Sequence, residues 1–117
     1  MTNDRLFNYK FAAIYDNYVA KVERKGHTIQ ELNQVICWLT GLDGDGLKEA
    51  CASEATLAEF FGAIPKLNPN TNQIKGLICG VRVEDIEDPL TQRIRYMDKL
   101  VDEVARGKKM SSILRGS

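Results

Sequence analysis

The stretch from Asp88 to Gly107 constrains this chain more than any other. Asp88 has the side chain of an N-cap, and Pro89 follows at the first helical position, where a missing amide costs nothing. Leu90, Ile94, Met97, Leu100, Val101 and Val104 then recur at steps of three and four, so they share one face of a helix. Gly107 supplies the stop. A long helix with one apolar stripe needs other elements to cover it. A chain of 117 residues can bury one core of that kind without disulfide or metal staples.

The covering elements are written in the same code. Phe11, Ile14, Tyr15, Tyr18, Val19 and Val22 predict a helix from about Asn8 to Lys25, with Gly26 after it. Thr28 and Glu31 form a capping box ahead of Ile29, Leu32, Val35, Ile36 and Leu39, and Gly41 closes that helix. Trp38, the single tryptophan, is expected between this helix and a neighbour. Asp43-Gly44-Asp45-Gly46 is a turn, followed by a short helix from Leu47 to Ala52. A second capping box, Thr56 with Glu59, opens a helix carrying Leu57, Phe60, Phe61 and Ile64, which Pro65 ends.

Between these helices and the last one the pattern is ambiguous. Asn68-Pro69-Asn70-Thr71-Asn72 is a loop. Ile74, Leu77, Ile78 and Val81 fit a helix face, although Gly76 and Gly80 weaken a helix by about 1 kcal/mol each relative to alanine. Val81-Arg82-Val83-Glu84 alternates like a strand. A short helix from about Asn72 to Cys79 and then an extended link is the reading taken. Met110, Ile113 and Leu114 predict a final short turn. The expected fold is all-α, a small orthogonal bundle of five or six helices in one domain over residues 1–117. The alternative is α+β, with a short strand near Val81–Val83.

Specific blocks carry a likeness. Tyr18–Gly26, Ile36–Gly41, Leu67–Asn70, Ile74–Leu90, Arg93–Glu103 and Gly107-Lys108 are similar to the bacterial domain-of-unknown-function family 2200. The resemblance runs from about Phe11 to Leu114 and is weakest at the Asp43–Gly46 turn. It implies a small, helical bacterial protein. It implies no catalytic residue, because the family has no assigned activity.

Composition excludes several classes. Hydrophobic residues make up 44% and charged residues 27%, which suits a globular chain and not a disordered one. The longest apolar runs, Ile36–Leu39 and Leu77–Cys79, are far shorter than the roughly 20 residues of a membrane span. Asn3, Asp4, Arg5, Asn8 and Lys10 interrupt the apolar run a secretory signal would need, so a cytoplasmic location is expected. Cys37, Cys51 and Cys79 are odd in number and far apart, which argues against a disulfide framework or a structural zinc. Each is expected to act as a small core hydrophobe.

Net charge is zero but unevenly spread. Residues 1–41 carry five Lys/Arg and four Asp/Glu. Residues 42–88 carry four and nine, and residues 89–117 carry seven and three. Zero net charge argues against indiscriminate nucleic-acid binding. An acidic middle and a basic end suggest that the two meet, within a chain or between chains.

Each candidate site has a plainer rival. Arg82, Glu84, Asp85, Glu87 and Asp88 form a dense polar cluster, but its spacing matches no cation loop, and acids suit a helix start. His27 could pair with Cys37 or Cys79, yet no oxyanion-hole motif accompanies them. Lys75, Gly76 and Gly80 do not make a P-loop. Thr28–Ala52 has the order of a helix-turn-helix, but Asp43, Asp45 and Glu49 oppose DNA. Arg106, Lys108, Lys109 and Arg115 fit a solvated helix end better than a nucleic-acid site. No cofactor or metal is expected, and a non-enzyme is favoured while an enzyme stays open as an alternative.

Three functions remain. The leading one is a protein-interaction module, self-associating through the last long helix and the acidic segment before it. The second is a nucleic-acid-binding regulator. The third is a small-molecule-binding protein or enzyme with Lys75, Arg82, Glu84 or Asp85 at its pocket. The interaction or ligand candidates are Lys75, Arg82, Glu84, Asp85, Asp88, Arg93 and Arg95.

Overall fold

The computed structural model describes residues 4–115. Among these residues seven α-helices run in the order α1 (Asp4–Phe7), α2 (Phe11–Arg24), α3 (Ile29–Thr40), α4 (Gly44–Ala52), α5 (Leu57–Gly62), α6 (Pro89–Ala105) and α7 (Met110–Ile113). A small antiparallel hairpin, β1 (Leu77–Ile78) and β2 (Val81–Arg82), precedes α6, flanked by 3-10 turns at Pro69–Gln73 and Val83–Asp85. The fold is mainly helical, and the short strand held open as an alternative is present beside the helices.

The caps act where the sequence puts them. Thr28 Oγ1 accepts the Glu31 amide at 3.1 Å, and the Glu31 carboxylate accepts the Thr28 amide at 3.0 Å. Thr56 and Glu59 repeat the exchange. Asp88 accepts the Thr91 amide at 2.8 Å. Gly41 ends α3 in the left-handed conformation, φ +78°. Four orphan amides open every helix, and these side chains satisfy the ones water would otherwise have to reach.

Two helices start elsewhere than expected. α2 begins at Phe11 because residues 9–11 are drawn into extended pairing. The Phe11 amide donates to Ala55 O, the Leu57 amide donates to Tyr9 O, and Lys10 bridges Thr56. α4 begins at Gly44 because Asp43 caps it, accepting the Gly46 amide at 2.7 Å.

The expected helix over Asn72–Cys79 does not form. Gly76, Cys79 and Gly80 take φ of +113°, +52° and +82°, which no right-handed helix allows. Positive φ at both residues between the strands is the habit of a tight hairpin turn. The register pairs Leu77 with Arg82 and Ile78 with Val81.

α6 is the hub. It packs against α2, α3, α5, α7, β1 and the turn at Val83–Asp85. Ile94, Met97, Leu100, Val101 and Val104 are all buried, as are Val22 on α2 and Leu32, Val35, Ile36 and Leu39 on α3. Full burial of a side chain of this size contributes about 1.5–3 kcal/mol. At the far end Phe11 and Phe60 stack with ring centroids 3.9 Å apart, and Phe61 meets Phe60 edge-on. Trp38 packs half-buried against the core, and its backbone carbonyl accepts the Asn68 side chain.

Candidate functional site

The polar candidates of the sequence separate into three places. The first is the base of the hairpin. Glu84 Oε1 accepts the Gly76 amide at 2.9 Å, and Arg82 lies 3.8 Å from its other oxygen. The Gly76 amide holds the Glu84 carboxyl below its ordinary range, helped by the Glu84 amide itself and by Arg82 and Lys75. The amide that a phosphate would need at this glycine loop therefore already holds the protein's own carboxylate. Asp85 is exposed, and Asp88 caps α6. Among the described residues no three His, Cys, Asp or Glu side chains converge as metal ligands would.

The second place is the middle of α6. Arg95 donates to Asp98 at 2.8 Å and to Cys79 Sγ at 3.3 Å, and the buried Tyr18 hydroxyl donates to the same Asp98. Burial, followed by the Asp98 charge, drives the Tyr18 phenol well above its ordinary range, so it stays protonated. Cys79 is exposed at the hairpin tip, which corrects the expectation that it fills the core. The expected helix face was Ile74, Leu77, Ile78 and Val81, and the left-handed turn at Cys79 and Gly80 abolishes it. Cys37 and Cys51 are half-buried against the core, and burial raises both thiols.

The third place is the start of α6, where Arg93 stands between two adjoining clefts. One, of about 390 Å³, is bounded by Lys66, Asn68 and Thr71 from the segment before the hairpin and by Gln92, Arg93 and Tyr96 from α6. The other, of about 240 Å³, is lined by Ala58, Phe61 and Leu90. Arg93 and Pro89 belong to both. Arg93 has no carboxylate partner among the described residues. Lys66, Thr71 and Tyr96 were not singled out in the sequence. Tyr96 could have been found three residues from Arg93 on one helix face, whereas nothing local marks Lys66 and Thr71, because only the fold brings residue 66 to residue 93.

The remaining candidates are engaged locally. His27 is half-buried, with Nδ1 3.3 Å from Glu31, and neither Cys37 nor Cys79 accompanies it in an ion pair or hydrogen bond. α4, the second helix of the helix-turn-helix order, presents Asp45, Lys48 and Glu49 to solvent. In the basic tail, Arg106 pairs with Asp102, while Lys108 and Arg115 pair with Glu103. Among the described residues no helix is long and apolar enough to cross a membrane.

This is a small, mainly helical protein built around one central helix. Residues 5–115 match the family described as "Uncharacterized protein conserved in bacteria (DUF2200)", and the chain belongs to that family. It is similar to the crystal structure of uncharacterized protein SP1917, with 43% identity and a TM-score of 0.90 over 97% of this chain and 93% of that one. No curated protein matches. The function of the family is unknown.

Proposed function

We propose that this protein is an interaction module that pairs with a second copy of itself through the β1–β2 hairpin. The observation that supports this is the exposed apolar surface of the hairpin. Leu77 is 61% and Val81 46% exposed, on a two-strand ribbon whose outer strand, β2, is exposed at both residues. A free strand edge beside apolar side chains is a ready surface for another chain. The long helix expected to carry self-association has its apolar stripe buried inside the chain, so the hairpin takes that role.

The charge pattern supports the same reading. Among the described residues no ion pair joins the acidic segment 42–88 to the basic segment 89–117. Their complementarity is available between copies. Sedimentation of the wild type and of the double variant Leu77→Ser, Val81→Ser at low and high salt tests this. A salt-sensitive dimer that becomes a monomer in the variant is expected. A wild-type monomer at every salt and protein concentration would rule it out.

A further inference from the structure

We propose that the paired clefts at the start of α6 bind a small organic anion, a carboxylate or phosphate monoester joined to a compact apolar group, with Arg93 as its principal ligand. The case starts from what the cleft leaves unsatisfied. Asn68 is spent, since its Oδ1 accepts the Asn70 amide and its Nδ2 donates to Trp38 O. Gln92 is spent on Val83 O. Among the described residues, the polar side chains of this cleft left without a hydrogen-bond partner are the Lys66 ammonium, the Arg93 guanidinium and the hydroxyls of Thr71 and Tyr96. The two cations are pure donors, and hydroxyls can donate as well, so together they suit a ligand that only accepts.

Arg93 is the informative member. It is half-buried, so its charge is partly desolvated, yet no acid among the described residues answers it. Its helical neighbours three and four residues away are Pro89, Leu90, Tyr96 and Met97, none of which is acidic. The next arginine on the helix, Arg95, is paired with Asp98. A guanidinium fork suits two-point recognition of a carboxylate or phosphate, and Lys66 adds a point charge from the opposite wall.

The second cleft sets the rest of the ligand. Ala58, Phe61 and Leu90 line a space of about 240 Å³ on the other side of the same arginine. Small-molecule sites combine an apolar wall with a few convergent polar groups in this way, in volumes of roughly 300–1,000 Å³. An anionic head at Arg93, Lys66, Thr71 and Tyr96 leaves a compact apolar body to lie against Phe61 and Leu90.

Nitrogen-edited NMR titrations with benzoate, phenyl phosphate, acetate and inorganic phosphate test the site. Saturable shifts confined to amides of residues 58–71 and 89–96, with the aryl probes tighter than acetate and inorganic phosphate, are expected. Arg93→Gln should weaken the aryl probes by roughly tenfold or more, since it removes a charge-assisted contact. Lys66→Gln, at an exposed position that does not threaten folding, should weaken them by a smaller factor. Absence of saturable shifts, or equal affinity in wild type and both variants, would overturn the site. Inorganic phosphate binding as tightly as phenyl phosphate would overturn the role of the apolar cleft.

Discussion

The two ends of α6 handle charge in opposite ways. Near its C-terminus, Asp102 and Glu103 stand where the helix dipole already presents partial negative charge, an unfavourable place for carboxylates. Cations compensate them. Lys21 and Arg106 approach Asp102 at 3.3 and 2.8 Å, and Lys108 and Arg115 approach Glu103 at 3.5 and 2.7 Å. Lys21 comes from α2 and Arg115 follows α7, so these pairs also fix neighbouring elements to the central helix. Near the N-terminus Arg93 is a cation on the positive half of the dipole, and among the described residues no carboxylate compensates it. One end uses its charges to hold the fold. The other leaves the Arg93 guanidinium without a carboxylate partner among the described residues.

The largest effect that sharpens this comparison lies at Glu103. It is 5% exposed, and Arg115 contacts both of its oxygens, at 2.9 and 2.7 Å. Arg115→Ala should cost about 3 kcal/mol in urea unfolding, because a buried carboxylate loses its main partner. Replacing the pair together, Glu103→Leu with Arg115→Met, should recover most of that loss. A single variant as stable as the wild type would mean that the C-terminal charges hold nothing, and the contrast between the ends would collapse.

The next effect is at the middle of the helix. Asp98→Ala strips the buried Tyr18 hydroxyl of its acceptor and Arg95 of its carboxylate. A loss of about 1–3 kcal/mol is expected. Tyr18→Phe added to Asp98→Ala should restore part of it, because the orphaned hydroxyl is then gone. If the double variant is no better than the single one, Arg95 carries the effect and Tyr18 does not.

Much of this frame was legible beforehand. The capping boxes at Thr28 and Thr56, the Asp88-Pro89 start and the stops at Gly41 and Gly107 are local chemistry, and a side chain three residues from its amide partner can be read from sequence. The hairpin was not legible for an equally local reason. Ile74, Leu77, Ile78 and Val81 are spaced like a helix face, and the turn uses Cys79 in a left-handed conformation that sequence pattern does not announce. The cleft was half legible. Arg93 was among the candidates, and the lack of an acid at three or four residues from it was there to be seen. Tyr96 lies three residues along α6 from Arg93, but Lys66 and Thr71 join them only when the segment after α5 folds back on α6.

The smallest of these effects belongs to the N-terminal end itself. The Thr91 amide, then the Thr91 hydroxyl, hold the Asp88 carboxyl below its ordinary range. A carboxylate depressed in the folded state adds stability above its unfolded pKa of about 3.9, and that contribution is lost as pH falls through the lower, folded value. Glu84 and Glu31, depressed first by the Gly76 and Thr28 amides, act with the same sign. Unfolding midpoints should therefore fall on acidification below about pH 4. Asp88→Asn keeps a capping oxygen but cannot titrate, so it should flatten part of that slope while barely moving the midpoint at neutral pH. Asp88→Ala should lower the midpoint at neutral pH as well, by less than either variant above. If Asp88→Asn leaves the acid slope unchanged, Asp88 contributes no pH-dependent hold on the start of α6, and the acid lability rests on the other depressed carboxylates, Glu31, Glu54 and Glu84. The N-terminal end would then use even less of its charge for folding than its C-terminal counterpart, and Arg93 would stand out further.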